Sequence, residues 1–493
     1  VFPVPFQDIF VADHTLIFRA PAEVRSHQLP LVSGALPAGL RGTLLRNGPG
    51  IQKAGSTPVH FLDAYAMVAS ARFEADRVVY HARHVDLPLA REEQAAGRLL
   101  RRRPFTNRPG GALANMGRLA LRTGAAHEVY AWGGAVVASD IDGHYLLDPV
   151  TLDTLGPAPI NALGGGLKQL SPMPRLDPAT GHLVAYVMTP GVLGSDTVTF
   201  LEFDDQWRER ARVQRSLGVK GAALHDLCAT PGYYVAVQLG VLAVPRAALG
   251  NAVVLDALTL PPGGSRIVAV PRRGDGPILS MPLPAGHQSF HIVNAWEAQG
   301  QLVVDTTIYD GMLDFDPLNP PGLGRGGPLP GATREPGGPF LCRHTLDLAS
   351  GAHQAIVHRE AGGEAPSIRE DRGGQQSRHT WVSARGTPGD EPVGNAYYWY
   401  HGLAKLDCQT GRTVSLWDAG ARVYVSAPQF VPGGPGEDEG WVLAWTHDAA
   451  TDRGELVVLD AAEPARGPVA RFALPAPLPP ASHVTWTSSA TFP

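Results

Sequence analysis

Three histidines of this chain sit in short, unusual contexts. They are His225 in His225-Asp226-Leu227, His291 in Phe290-His291-Ile292-Val293-Asn294-Ala295-Trp296-Glu297, and His483 in Ala481-Ser482-His483-Val484-Thr485-Trp486. A neutral imidazole can move a proton near neutral pH, or hold a transition metal while leaving the ion its charge. A lone histidine is more often structural, and the chain carries 18 of them. The separations are 66 residues (225 to 291) and 192 residues (291 to 483), too wide for a local finger-like site.

Other chemistries find less support. Cys228, Cys342 and Cys408 lie far apart with no CxxC pair, which speaks against a zinc ribbon or a disulfide framework and for buried thiols in a reducing compartment. Charged residues make up 18% of the chain and the formal net charge is −5, so no basic field points to nucleic acid. There is no apolar run long enough to span a bilayer and no leader pattern at Val1. A cytoplasmic location is expected, with peripheral membrane contact left open and the oligomeric state unread.

The elements that must position these side chains read as β. The 57 Gly and 45 Pro are spread along the chain as turn punctuation. Strand-like segments recur at Arg77–Tyr80, Glu128–Trp132, His182–Val187, Tyr233–Val237, Gln301–Asp305, Ala396–Tyr400 and Gly440–Trp445. Asp-x-x-(Ser/Thr)-Gly turns recur at Asp177–Gly181, Asp347–Gly351 and Asp407–Gly411, each offering a capping carboxylate and a Gly free to take φ > 0. Helical periodicity is scarce, with Arg91–Leu100 the best candidate. At 493 residues the chain exceeds usual single-domain size, yet a propeller absorbs that length by radial repetition. No crisp sequence repeat is present, so the blades are irregular. The expectation is one domain over residues 1–493: an all-β propeller with a dome of loops and short helices over one face. The Pro/Gly-rich stretches Pro261–Gly276 and Asp314–Gly338 are expected in that covering layer.

The histidine contexts resemble three of the four iron-ligand motifs of the carotenoid cleavage oxygenase family, which includes stilbene- and isoeugenol-cleaving enzymes. Further segments carry the resemblance along nearly the whole chain: Gly39-Leu40-Arg41-Gly42-Thr43-Leu44-Leu45-Arg46-Asn47-Gly48-Pro49, His60-Phe61-Leu62-Asp63-Ala64-Tyr65-Ala66-Met67, the strand and turn Leu147–Gly156, and Phe430-Val431-Pro432 followed by Glu437-Asp438-Glu439-Gly440-Trp441. The resemblance implies a seven-bladed propeller whose inner strands project histidines onto one Fe(II) at the axis. His225, His291 and His483 fall on three of those catalytic, metal-binding positions. The fourth, in Ser171-Pro172-Met173-Pro174-Arg175, is Met173. A thioether is a soft, poor partner for Fe(II) beside imidazoles, and filling apolar space is its ordinary part. His182 and His287 are too far along their strands to replace it. A three-His site is therefore expected.

Family members orient ligands with carboxylates that accept the second ring N–H, fixing the tautomer. Glu364 and Asp140 fall on two such positions, Glu364 expected on His291 and Asp140 on His225. The third falls on Ala427, whose methyl accepts nothing, so His483 is expected to rely on water or a carbonyl. Where stilbene-cleaving relatives use a Tyr and a Lys on the substrate, this chain carries Arg101 and Arg122. Arg98, Arg101, Arg102 and Arg103 form a charge run suited either to an anionic group at a mouth or to plain solvation.

What the resemblance implies is an Fe(II)-dependent dioxygenase that takes a small apolar conjugated alkene (an apocarotenoid, stilbene or phenylpropene) and O2 and yields carbonyl products. The other reading is a catalytically altered propeller that binds an apolar ligand without cleaving it.

Overall fold

The computed structural model describes residues 13, 16, 19–191, 193–260, 265–311, 337–385, 400–481 and 483–488. Seven antiparallel sheets of four to six strands, taken in chain order, form the blades of a seven-bladed β-propeller. Its ring is closed twice. Leu31–Gly34 adds to Pro468–Ala473 as an outer strand of the seventh blade. His483–Ser488 pairs with Gly42–Ile51 as the inner strand of the first, with His483 opposite Asn47. Strands near the two ends of the described chain thus tie the first blade to the seventh.

The other inner strands are Glu128–Trp132 in blade two, Arg175–Asp177 in blade three, Ala222–Ala229 in blade four, His287–Ala298 in blade five, Glu364–Ser367 in blade six and Gln429–Pro432 in blade seven. The core lies between blades. Val235, Val237, Ile292, Ala295 and Val304 pack blade four on blade five, and Trp381 stacks on Phe430 between blades six and seven at 4.3 Å.

The three Asp-to-Gly turns form as expected. At the first, Asp177 accepts from Ala179 N at 3.0 Å and Thr180 Oγ1 at 2.9 Å, and Gly181 takes φ +68°. Gly411 takes the same conformation against blade five, where an added Cβ would stand 1.9 Å from His358 Nδ1. That turn needs Gly both for its φ and for the close approach.

The helix expected at Arg91–Leu100 runs over Pro88–Ala96, with Pro at its first turn and Gly97 closing it in the left-handed conformation. It ends early because Gly97 is the better stop and because Glu93 is turned inward, where its carboxylate accepts from Leu100 N at 2.8 Å and from Arg103 at 2.6 Å. The arginine run is split, with Arg98 and Arg101 exposed and Arg102 and Arg103 buried. Arg103 is fully buried against Glu93, and Arg102 binds the carbonyls of Ala247 and Ala252, fastening the blade-one-to-two connection to the short helix Val244–Ala248. Within the expected cover at Pro261–Gly276, Arg266–Pro271 is a strand of blade four. Residues 261–264, 312–336 and 386–399, with most of the expected strand Ala396–Tyr400, lie outside the described residues. Among the described residues no helix is long and apolar enough to cross a membrane.

Candidate metal centre

His225, His291 and His483 come together at the inner strands, and a fourth ring that the sequence reading did not single out joins them. The centroids stand 5.2 Å apart for His225 and His291, and 5.3 Å for His291 and His483. His127 then closes the circuit, 4.8 Å from His483 and 5.2 Å from His225. It immediately precedes the inner strand of blade two, where its backbone N–H bonds Ser139 O at 3.2 Å.

Irregular pairing aims two of these rings. The register of Ala222–Ala229 against Tyr233–Leu242 shifts between Leu224 and Leu227, leaving His225 in the gap. The register of His287–Ala298 against its partner shifts between Ser289 and Ile292, leaving His291 in the gap. A bulge turns a side chain off the strand's regular alternation, which is how propeller strands re-aim a ligand. Asp226 staples the two bulges, accepting from Leu227 N at 2.8 Å and Ile292 N at 2.9 Å. Arg175 balances its charge at 3.1 Å.

Each of three rings has its Nδ1 next to an acceptor. His225 Nδ1 donates to Phe290 O at 3.1 Å, and since a carbonyl only accepts, the proton is on Nδ1 and Nε2 keeps its lone pair. His291 Nδ1 meets Glu364 Oε2 at 2.6 Å. Glu364 is held in turn by Thr307 Oγ1 at 2.9 Å and Ala365 N at 2.7 Å. His483 Nδ1 stands 3.4 Å from Glu128 Oε2. Nε2 of His127 is buried with no hydrogen-bond partner.

Glu364 thus sits where the family resemblance implied, and Asp140 does not. Asp140 accepts from Ile141 N at 2.8 Å and lies by Thr123 and Asp142, while a backbone carbonyl serves His225. The carboxylate that blade two gives the cluster is Glu128, which pairs across the sheet with Ser139, the neighbour of Asp140. His483 therefore has a carboxylate in place of the expected water or carbonyl. Ala427 takes part through its backbone: its N–H bonds Ala481 O at 2.9 Å, two residues before His483. Met173 is fully buried just before the inner strand of blade three. His182 pairs with Glu202 and His287 with Asp310, so neither belongs to the cluster. Arg122 stands 3.8 Å from Asp142 beside Leu121 and Ile141.

Burial keeps most of these rings neutral. It holds His127 and His483 well below the ordinary imidazole range, reinforced by the neighbouring rings and Arg175. Burial and the adjacent His291 bring His225 down to about 3. His291 is the exception: burial opposes its charge, but the Glu364 carboxylate outweighs burial and raises it. Glu364 is correspondingly lowered despite its burial. Burial lifts Glu128 to about 7 against the pull of Arg175.

Comparison with known proteins agrees with this architecture. Residues 17–488 match the family described as retinal pigment epithelial membrane protein. The apocarotenoid-15,15'-oxygenase of Synechocystis sp. is 31% identical, the match covering 93% of this chain and 92% of that one. The isoeugenol monooxygenase of Pseudomonas putida is 26% identical over 95% and 96% of the two chains. The crystal structure of the cobalt-substituted Synechocystis oxygenase superposes with a TM-score of 0.83 at 27% identity, covering 97% of this chain and 99% of that one. The chain belongs to the family of the retinal pigment epithelial membrane protein and the carotenoid cleavage oxygenases, an enzyme family.

Proposed function

We infer that the chain is a non-haem Fe(II)-dependent dioxygenase that splits a C=C bond of an apolar conjugated substrate into two carbonyls, with His225, His291 and His483 holding the iron. The observation that carries this reading is the meeting of three rings from three blades, each with its Nδ1 against an acceptor. A metal-binding histidine typically hands its second ring nitrogen to such a partner, which fixes the tautomer and the ring plane. Two of those partners are carboxylates, and both would otherwise be poorly placed, buried and away from water.

The donor set fits iron. Neutral imidazoles suit Fe(II) and leave its charge uncompensated by ligands, and bound iron would supply O2 binding and activation. Among the described residues no group of three or more His, Cys, Asp or Glu side chains is already posed to hold an ion. What the chain itself does is orient and shield. Glu364, Phe290 O and Glu128 set the ring planes, and Asp226 keeps the bulged strands of blades four and five together. Arg175 lends the cluster a fixed positive charge that disfavours protonation of the rings.

The names of the relatives, an apocarotenoid oxygenase and an isoeugenol monooxygenase, support an apocarotenoid or phenylpropene substrate class. The experiment is aerobic incubation of iron-loaded protein with apocarotenoids, stilbenes and vinyl phenols, following O2 consumption and carbonyl products. Cleavage of one class with O2 uptake supports the reading. Stoichiometric iron with no cleavage of any class, or failure to bind iron, supports instead a propeller that holds an apolar ligand without oxygen chemistry.

A further inference from the structure

We propose that His127 is a fourth metal ligand of this centre, supplied by blade two in place of the position that Met173 occupies in blade three. The inference rests on the three-histidine reading above and extends it to a residue outside the family's four ligand motifs.

The first support is closure. A ring bound through one nitrogen at about 2.1 Å has its centroid about 3.2 Å from the ion, so neighbouring centroids fall about 4.5–5.2 Å apart for inter-ligand angles from right-angled to tetrahedral. The observed circuit His127–His225–His291–His483 has sides of 5.2, 5.2, 5.3 and 4.8 Å. The side that His127 makes with His483 is the shortest of the four. Without His127 the cluster is an open arc from His225 through His291 to His483.

A second, independent support is the buried, unpartnered Nε2 of His127. Buried polar atoms are nearly always satisfied, and an exception calls for a role such as an unfilled ion site. The third is the placement of the blades. Blade three lies between blades two and four in the ring, and its inner strand begins at Arg175, two residues after Met173. His127 on blade two nevertheless reaches His225 on blade four at 5.2 Å. A ring from blade two can therefore join the same cluster as the rings of blades four, five and one. The fourth is economy of placement: Glu128, next in the chain, is the carboxylate beside His483 Nδ1. One dipeptide would supply a ligand and orient its neighbour.

The test uses the full-length protein, loaded anaerobically with Fe(II) or with Co(II), as wild type, His127→Phe and His225→Ala. Phe keeps a ring in the space while removing both nitrogens. X-ray absorption at the metal edge counts bound imidazoles, equilibrium dialysis gives affinity, and thermal unfolding without metal checks the fold. The expected result is four imidazoles in the wild type and three in His127→Phe, with affinity at least about tenfold weaker and metal-free unfolding unchanged. Retention of the wild-type imidazole count and affinity by His127→Phe, while His225→Ala loses the metal, would overturn the proposal and leave the three-histidine reading standing. Equal metal binding by all three proteins, or none by the wild type, would overturn both. If His127→Phe does not fold, His127→Ala with added imidazole replaces it. Recovery of the fourth imidazole by added ligand is then the expected result, and a wild-type spectrum without imidazole the contrary one.

Discussion

The Glu128 carboxylate stands 3.4 Å from Nδ1 of His483, and the ring of its chain neighbour His127 packs 4.8 Å from the same His483 ring. Two consecutive residues at the head of one inner strand thus meet a histidine from the last described strand. Both contacts depend on the closure that pairs His483–Ser488 with Gly42–Ile51.

The carboxylates beside the rings have different weights. Glu364 has a 2.6 Å contact to His291 and two further donors that fix it. Glu364→Gln removes the charge that favours ring N–H donation and is expected to weaken metal affinity roughly 10–100-fold. Ala427 works through its backbone N–H, so Ala427→Ser should leave affinity within about twofold of wild type, by the same standard. Metal titration of the two variants checks this, and equal losses would contradict it.

Met173 and His127 should be exchangeable in one direction. In His127→Phe the added Met173→His should restore a fourth imidazole and most of the lost affinity. In the wild type, Met173→His should add little, because the fourth position is already served. Edge absorption and dialysis on the single and double variants measure both arms, and no rescue in the double variant would contradict the exchange.

Asp140 is expected to bear on stability and not on the metal. Burial, then Asp142, raises its carboxyl to about 8, with Asp63 adding to the rise and Thr123 and the Ile141 N–H opposing it. Between about pH 4 and pH 8 the folded state keeps a proton that the unfolded chain gives up, so this group lowers stability as pH rises through that window. Below about pH 4 it contributes nothing, and above about pH 8 the penalty is complete. Asp140→Asn keeps an acceptor for Ile141 N, so its gain in unfolding temperature should be near zero at acid pH and largest at alkaline pH. A gain independent of pH would contradict the assignment.

Arg103 and Glu93 are both fully buried and 2.6 Å apart. Arg103→Met leaves a carboxylate buried without its cation, a change that typically destabilises by about 3–5 kcal/mol. Denaturant unfolding of the variant measures it. Replacing Glu93 as well, as Arg103→Met with Glu93→Gln, should recover a substantial part of the loss, and no recovery would argue against the pair.

Much of the fold was legible because blade strands carry their own pattern. Glu128–Trp132 forms over the residues expected, and His182, Tyr233, Gln301 and Gly440 each begin a strand where the sequence places one. Those strands then run several residues further, to Thr189, Leu242, Asp310 and Asp448, because cross-strand hydrogen bonds continue past the apolar residues that mark them. Three of the four clustered rings and Glu364 were legible because their short contexts resemble the family's motifs. His127 was not, because its position depends on which blades flank the one carrying Met173, a tertiary relation that no local pattern encodes. The visible signal was a His-Glu pair opening a strand. Asp140 was misplaced for a related reason: Glu128 lies across the sheet from Ser139, so a carboxylate on either strand suits the same stretch of blade two.

In the proposed centre, rings from four blades hold one iron. Anomalous scattering collected above and below the iron edge, on crystals loaded with Fe(II), tests it most directly. A single peak enclosed by Nε2 of His127, His225, His291 and His483 is the expected result. No iron peak among these rings, or a peak bonded elsewhere in the molecule, would contradict it.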